Sequence, residues 1–270
     1  MSGDVLLYGA YGYTGELIAE AAAQRGVDLT VAGRDRARVE DLAGRLQLDE
    51  RVFGLDEPMV AAQVAGEHEV VLNCAGPFRE TYRRMVDACL EAGTHYLDIT
   101  GEIDVFEFIQ NDDGRARDAG IMLMPGVGFD VVPTDCLAAH LASRIEDPVQ
   151  LELAFEASGG TSAGTLRTSL RQLPEGGRVR RNAEIERVRP AHRTREVDFG
   201  EGERTVAAIP WGDVSTAYYT TGIDSITVFQ SMPPNAIRVL RVARHLSPLL
   251  RIDALRGLLF RLLSSDYAGP

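Results

Sequence analysis

The chain has 270 residues, of which 45% are apolar, and carries a formal charge of −12. That is enough apolar material for one large or two medium globular domains, and the negative balance argues against nucleic acid as the main partner. All 28 basic residues are arginine, and the missing lysine excludes Schiff-base chemistry and any Tyr-xxx-Lys catalytic pair.

In chain order, Val5-Leu6-Leu7-Tyr8 reads as a short buried strand. A helix with Leu17, Ile18, Ala21 and Ala22 at helical spacing follows, and Gly26 can end it. Leu29–Ala32 is the second strand, Asp35–Leu46 a helix, Arg51–Phe53 a third strand, Glu57–Ala65 a helix and Val70–Asn73 the fourth strand. A helix from Arg79 to Ala92 leads to strand His95–Asp98, and a further helical stretch leads to Ile121–Met124. This alternation predicts an α/β protein with an N-terminal doubly wound, Rossmann-type domain over residues 1–132. Beyond Gly128-Phe129-Asp130 the texture changes to a helix, Thr134–Arg144, and an alternating strand, Gln150–Glu156. The Val-, Ile-, Thr- and Tyr-rich stretch Val206–Phe229 suggests antiparallel strands. Residues 133–270 are therefore expected to form a second, α+β domain for substrate binding or dimerisation.

Two basic stretches oppose the overall acidity: Arg178–Arg195, and an amphipathic helix expected over Ala236–Leu263 with Leu246, Leu249, Leu250, Leu258, Leu259 and Leu262 on its apolar side. Packing of that helix on its own sheet or on a second subunit is preferred to contact with a membrane surface or lipid. With no run of about 18 apolar residues and no signal region, the chain reads as cytoplasmic. Cys74, Cys89 and Cys136 form no CxxC pair, and the histidines show no HExxH spacing, so no metal site is expected.

Chemistry concentrates at the ends of the early strands. Gly9-Ala10-Tyr11-Gly12-Tyr13-Thr14-Gly15 lies between a buried strand and an amphipathic helix. In that context the glycines allow a tight turn, backbone approach to a pyrophosphate and close helix packing, and a helix N-terminus attracts phosphate. The second strand ends in Gly33-Arg34-Asp35. Arg34 can receive a 2′-phosphate through its guanidinium fork, which favours NADP, while Asp35 keeps NAD as an alternative. Asn73-Cys74-Ala75-Gly76-Pro77 follows the fourth strand, where main chain can skirt the cofactor; Cys74 reads as packed rather than nucleophilic. Glu102 and Asp130 follow the fifth and sixth strands and are the catalytic candidates, each with helix capping or a turn as its structural alternative; Tyr96 and His95 are weaker ones.

GAYGYTG at 9–15, AGRD at 32–35, LNCAGPF at 72–78, YLDITGE at 96–102 and GVGFDVVPTD at 126–135 resemble, in the same order, the saccharopine dehydrogenase-like oxidoreductases, which include the bacterial trans-acting enoyl reductases. IPWGDVSTA at 209–217 is similar to the bacterial branch. The resemblance implies a nucleotide-binding Rossmann domain joined to an α+β substrate domain, and hydride transfer to or from a small-molecule or lipid-like substrate. An enoyl reductase-like activity is favoured over true saccharopine cleavage, because the motifs place few cations for a glutamate-like substrate. A non-catalytic NADP(H)-binding sensor or scaffold is the alternative from another class, and a homodimer is compatible with either.

The lysine-free acidic surface has two readings, adaptation to concentrated salt and a GC-rich genome. Thermal unfolding from low to molar salt separates them: a rising midpoint supports the first, and a constant midpoint the second.

Overall fold

The computed structural model describes residues 4–156 and 176–246, and the chain divides into two compact units, Met1–Val132 and Pro133–Pro270. In the first unit, β1 (Val5–Tyr8), β2 (Leu29–Gly33), β3 (Asp49–Val52), β4 (Val70–Asn73), β5 (His95–Asp98) and β6 (Leu123–Met124) alternate with α1 (Tyr13–Arg25), α2 (Arg36–Leu46), α3 (Pro58–Ala65), α4 (Phe78–Ala92), α5 (Ile103–Gln110) and α6 (Asp113–Ala119). The strands form one parallel sheet ordered β3-β2-β1-β4-β5-β6, with β1 in register at Val5 to both Leu29 and Val70.

Strand β1 is apolar throughout because both its faces are covered. Leu6 and Tyr8 enter a core with Ala61 and Ala65 of α3, Met85 and Val86 of α4 and Val105 of α5. Leu7 points the other way, to Ala19 and Ala22 of α1 and Val39 and Leu42 of α2. Two cores, one on each face, are what makes the sheet doubly wound. The third strand runs two residues earlier than its apolar centre Val52-Phe53 suggested, because pairing of Thr30 with Asp49 continues along polar residues. The sixth strand is only two residues long, its pairing confined to Tyr96–Leu123 and Leu97–Met124.

The second unit contains α7 (Val132–Ala142), β7 (Leu151–Phe155), β8 (Gly177–Arg181), β9 (Glu184–Val188), β10 (Thr194–Asp198), β11 (Glu203–Ile209), α8 (Asp213–Thr221), β12 (Ile226–Ser231) and α9 (Pro234–Leu246). Its sheet is ordered β10-β11-β12-β8-β9, with β7 pairing parallel to β12 and the other ladders antiparallel. The α+β expectation thus holds, with one correction: Val206–Phe229 is interrupted by α8. Its β-branched residues are tolerated in a helix because their hydroxyls find acceptors: Thr221 Oγ1 donates to the Ala217 carbonyl one turn back, and Thr220 Oγ1 to Asp135 at 2.7 Å. Val214 and Ala217 bury the inner face of α8.

The basic stretch Arg178–Arg195 is a β8–β9 hairpin and the approach to β10, and much of its charge is matched: Arg181 pairs with Glu186, and Arg193 and Arg195 share Glu152 on β7. Arg180, 3% exposed, donates to the carbonyls of Val214 and Ala183 and lies 4.3 Å from the Tyr218 ring centroid, tying α8 to the hairpin. Of the helix expected over 236–263, α9 covers the part to Leu246; the residues from 247 on, with Leu249, Leu250, Leu258, Leu259 and Leu262, lie outside the described residues. Among the described residues no helix is long and apolar enough to cross a membrane, and no group of three or more His, Cys, Asp or Glu side chains could hold a metal ion.

The β8–β9 hairpin turns on Asn182 and Ala183, with φ of 48° and 66°. Both lie in the left-handed region, where Asn is tolerated and Ala is not. Ala183→Gly is expected to raise stability by about 0.5–1 kcal/mol in urea denaturation; a loss of stability would show that the turn holds Ala183 without strain.

Candidate functional site

The turn after β1 is fixed by its own backbone. The amides of Gly9 and Ala10 both donate to the Ala32 carbonyl, at 2.9 and 3.1 Å, and the Gly9 carbonyl accepts from Gly12 N at 3.0 Å. Two glycines are forced by contact. Gly9 has φ of 79°, and a Cβ there would stand 2.7 Å from Ala75 N; at Gly15 a Cβ would stand 2.5 Å from the Gly9 carbonyl oxygen. Gly12 differs, because a Cβ there would meet only that same oxygen, at 3.3 Å. Gly12 caps α1 with extended backbone and no side-chain hydrogen bond, and Tyr13 and Thr14, the first helical residues, are exposed. The first-turn amides of α1 therefore border a surface without side-chain bulk, a cradle that fits an anion. Ala10 is fully buried beneath the turn.

At the end of β2, Asp35 caps α2, its carboxylate accepting from Arg38 N at 3.3 Å. Arg34 is exposed and forms no hydrogen bond or ion pair with another described residue. Two residues that the sequence reading did not select join it. The Tyr11 ring lies on Gly33, so close that a Cβ there would be 2.4 Å from a ring carbon. The Arg38 guanidinium stacks 4.5 Å from the Tyr11 ring centroid and donates to the Tyr11 carbonyl at 2.7 Å. Arg38 was accessible to reasoning as the arginine one turn after Arg34, in the first turn of α2; nothing in the sequence marks the orientation of Tyr11.

At the end of β4, Asn73 is fully buried. Its Oδ1 accepts from Ala75 N at 3.0 Å, and its Nδ2 donates to Tyr96 Oη at 3.3 Å. Tyr96 in turn donates to Asp98 Oδ2 at 2.7 Å, while Asp98 Oδ1 accepts from Thr100 N and Gly126 N at 2.9 and 2.8 Å. This buried chain fixes the loops after β4, β5 and β6 to one another. Burial pushes the Asp98 carboxyl up to about 6 against the pull of those donors, and holds Tyr96 well above its ordinary range. Tyr96 is thus a fully buried link of this network, and His95 accepts from Met122 N at 3.0 Å. Cys74 is pushed up to about 12 by burial and then by Asp98, which leaves a packed thiol and no thiolate. Gly76-Pro77 is a cis peptide at the start of α4.

Glu102 caps α5, and its Oε1 accepts from Phe78 N at 2.9 Å, so it also closes the N-terminus of α4; burial raises its carboxyl. Asp130 lies against the loop after β5, where a Cβ on Gly101 would be 2.2 Å from Asp130 Oδ2. Its carboxyl makes no hydrogen bond to another described residue, and burial pushes it up to about 6. The structure therefore brings the glycine turn, the end of β2 and the loop after β4 together, with Gly9 touching Ala75. Glu102 and Asp130 stand on the neighbouring loops.

A parallel sheet in this strand order, with a glycine turn leading into its first helix, is the architecture of a dinucleotide-binding Rossmann domain. Residues 5–124 match the family model described as the saccharopine dehydrogenase NADP binding domain. A trans-acting enoyl reductase of Mycobacterium ulcerans is 33% identical over 162 residues, covering 56% of this chain and 38% of the relative. One from Mycobacterium tuberculosis is 32% identical over 156 residues, covering 53% and 37%. The chain thus spans well under half the length of these relatives. In fold it is similar to apo saccharopine dehydrogenase (L-Glu forming) from Saccharomyces cerevisiae, with a TM-score of 0.64 at 13% identity, covering 89% of this chain and 57% of that one.

The unfolded Asp130 carboxyl ionises near 3.8 and the folded one near 6, so the folded state holds more protons in between and stability falls as pH rises through that window. Asp130→Asn is expected to be more stable than the parent by about 1–3 kcal/mol at pH 8, with the advantage gone near pH 4. Denaturant unfolding at the two pH values measures it, and a pH-independent difference would mean that Asp130 is solvated like a surface carboxylate.

Proposed function

We propose that the chain is an NADP-dependent oxidoreductase whose N-terminal unit binds the cofactor across Gly9, Ala10, Gly12, Tyr13, Thr14 and Gly15 and along Asn73, Cys74, Ala75, Gly76 and Pro77. The observation that carries this is the glycine cradle, in which Gly12 leaves open a space that the contacts at Gly9 and Gly15 do not fill. NADP is preferred to NAD because Arg34 is uncommitted while the Asp35 carboxylate already caps α2. When bound, the cofactor supplies the hydride.

The residues of the chain then hold, orient and protonate. Asn73, Tyr96 and Asp98 keep the loops after β4 and β5 in place, and Glu102 fixes the start of α4. Asp130 holds a proton to about pH 6 and is the group proposed to exchange it with substrate at Oδ2. The substrate proposed is an apolar enoyl lipid, supported by the two mycobacterial enoyl reductases and by the absence of an arginine or histidine from both the Asn73–Pro77 and Gly126–Asp130 loops. The free thiols of Cys74, Cys89 and Cys136 support a cytoplasmic setting. The engagement of Glu102 with the Phe78 amide, which occupies one oxygen of an acid–base candidate, supports the second reading, a binder of NADP(H) without turnover.

Fluorescence titration with NADPH and NADH, followed by absorbance at the nicotinamide band with enoyl thioesters, tests both. The oxidoreductase reading expects selective NADPH binding and thioester-dependent oxidation. Gly12→Ala is expected to weaken NADPH at least tenfold without unfolding, and Asp130→Asn to lower turnover by about 10²-fold or more with NADPH affinity kept. Binding without turnover on any thioester would favour the sensor, and no binding would remove both.

A further inference from the structure

Arg34, Arg36 and Arg38 follow the end of β2, and among the described residues only Arg36 is matched to a carboxylate, Glu40 at 3.1 Å. Farther along the same helix Arg45 is held by Glu16, Glu20 and Asp41. Arg34 and Arg38 form no ion pair among the described residues, in a chain with a formal charge of −12. Two guanidinium groups without a carboxylate partner, four positions apart at the start of α2, are available to an anion.

The position of Arg38 is built. Its amide is taken by Asp35, its ring partner Tyr11 is seated on the Gly33 backbone, and one guanidinium N–H is spent on the Tyr11 carbonyl. One aromatic ring therefore separates Arg38 from Gly33, the residue before Arg34. Arg38 and Tyr11 both line a cleft of about 250 Å³ that also holds Glu16 and Asp41. Those carboxylates disfavour an anion within the cleft itself.

We infer that Arg38 is a second specificity-determining residue, which reads a ribose 2′-phosphate together with Arg34, and that Tyr11 is the positioning residue that holds its guanidinium at the end of β2. The inference rests on the cofactor-binding reading above. Arg38 couples the two cofactor-facing segments: the same guanidinium that meets the phosphate also grips the carbonyl of the glycine turn. A planar fork with five donors can do both, since one N–H is used and four remain.

The test is titration of NADPH and NADH into the whole chain, unaltered and as Arg38→Met, Arg38→Lys, Tyr11→Ala and Tyr11→Phe, each checked for folding by circular dichroism. Arg38→Met is expected to weaken NADPH by about 10–100-fold while NADH changes less than about twofold. Arg38→Lys should recover part of the loss, because the charge stays and the fork goes. Tyr11→Ala should shrink the NADPH preference, and Tyr11→Phe, which keeps the ring and the backbone carbonyl, should keep it. Equal weakening of both cofactors by Arg38→Met would make Arg38 a brace of the glycine turn only and overturn the inference, as would an unchanged NADPH affinity. If the unaltered chain binds neither cofactor, the cofactor-binding reading falls and takes the inference with it. Binding of the two with equal affinity overturns the phosphate-reading role alone.

Discussion

The N-terminal unit depends on one close approach, the backbone of α1 at Gly15 lying against the carbonyl oxygens of Gly9 and Ala10, where a Cβ would stand 2.5 and 2.8 Å away. Interiors are packed too tightly to absorb an added methyl group against backbone. The first helix can therefore reach the sheet only because residue 15 has no side chain. From that contact follow the direction of α1, the exposure of its first amides, and the room for Gly9 to touch Ala75 on the adjacent loop. The cradle is a by-product of helix–sheet packing, and an anion needs nothing further from the loop than its unobstructed N–H groups.

The other strand ends are held by polar groups that burial makes expensive to leave unpaired. Asn73, Tyr96 and Asp98 are all fully buried and joined to one another, with Asn73 reaching the loop after β4 and Asp98 those after β5 and β6. In a low-dielectric interior such a chain is rigid when complete and costly when broken. It explains why the sheet edge stays ordered although β6 contributes only two residues of ladder. Charge is managed differently on the other side of the glycine turn, where arginines are exposed and the question is which of them lacks a carboxylate.

Elements with a strong period were legible in the sequence. The alternation of apolar strands and amphipathic helices carried the order of the first unit, and the glycine spacing carried its turn. What the sequence did not disclose depends on contacts between distant residues. Thr220 and Thr221 look like strand residues until their hydroxyls are seen to have acceptors in a helix. Glu102 stands out by its place after a strand, but that Phe78, 24 positions earlier, donates to it is seen only in the fold. The stacking of Arg38 on Tyr11 likewise spans 27 positions and follows no local rule. Asp130 was chosen for its place after a strand, and its high proton affinity arises from burial beside Gly101, which only the folded chain creates.

The sheet of the second unit carries several of its charges as arginine–carboxylate pairs, Glu152 with Arg193 and Arg195, Glu156 with Arg204, and Glu186 with Arg181. A lysine in such a pair would bring two titration edges, one on each flank of neutrality. The guanidinium group brings none of its own, since it keeps its proton throughout the range in which proteins stay folded. The pairing across β7, β8, β9, β10 and β11 is therefore one-sided in its response: base leaves it intact, and only protonation of the glutamates in acid can release it.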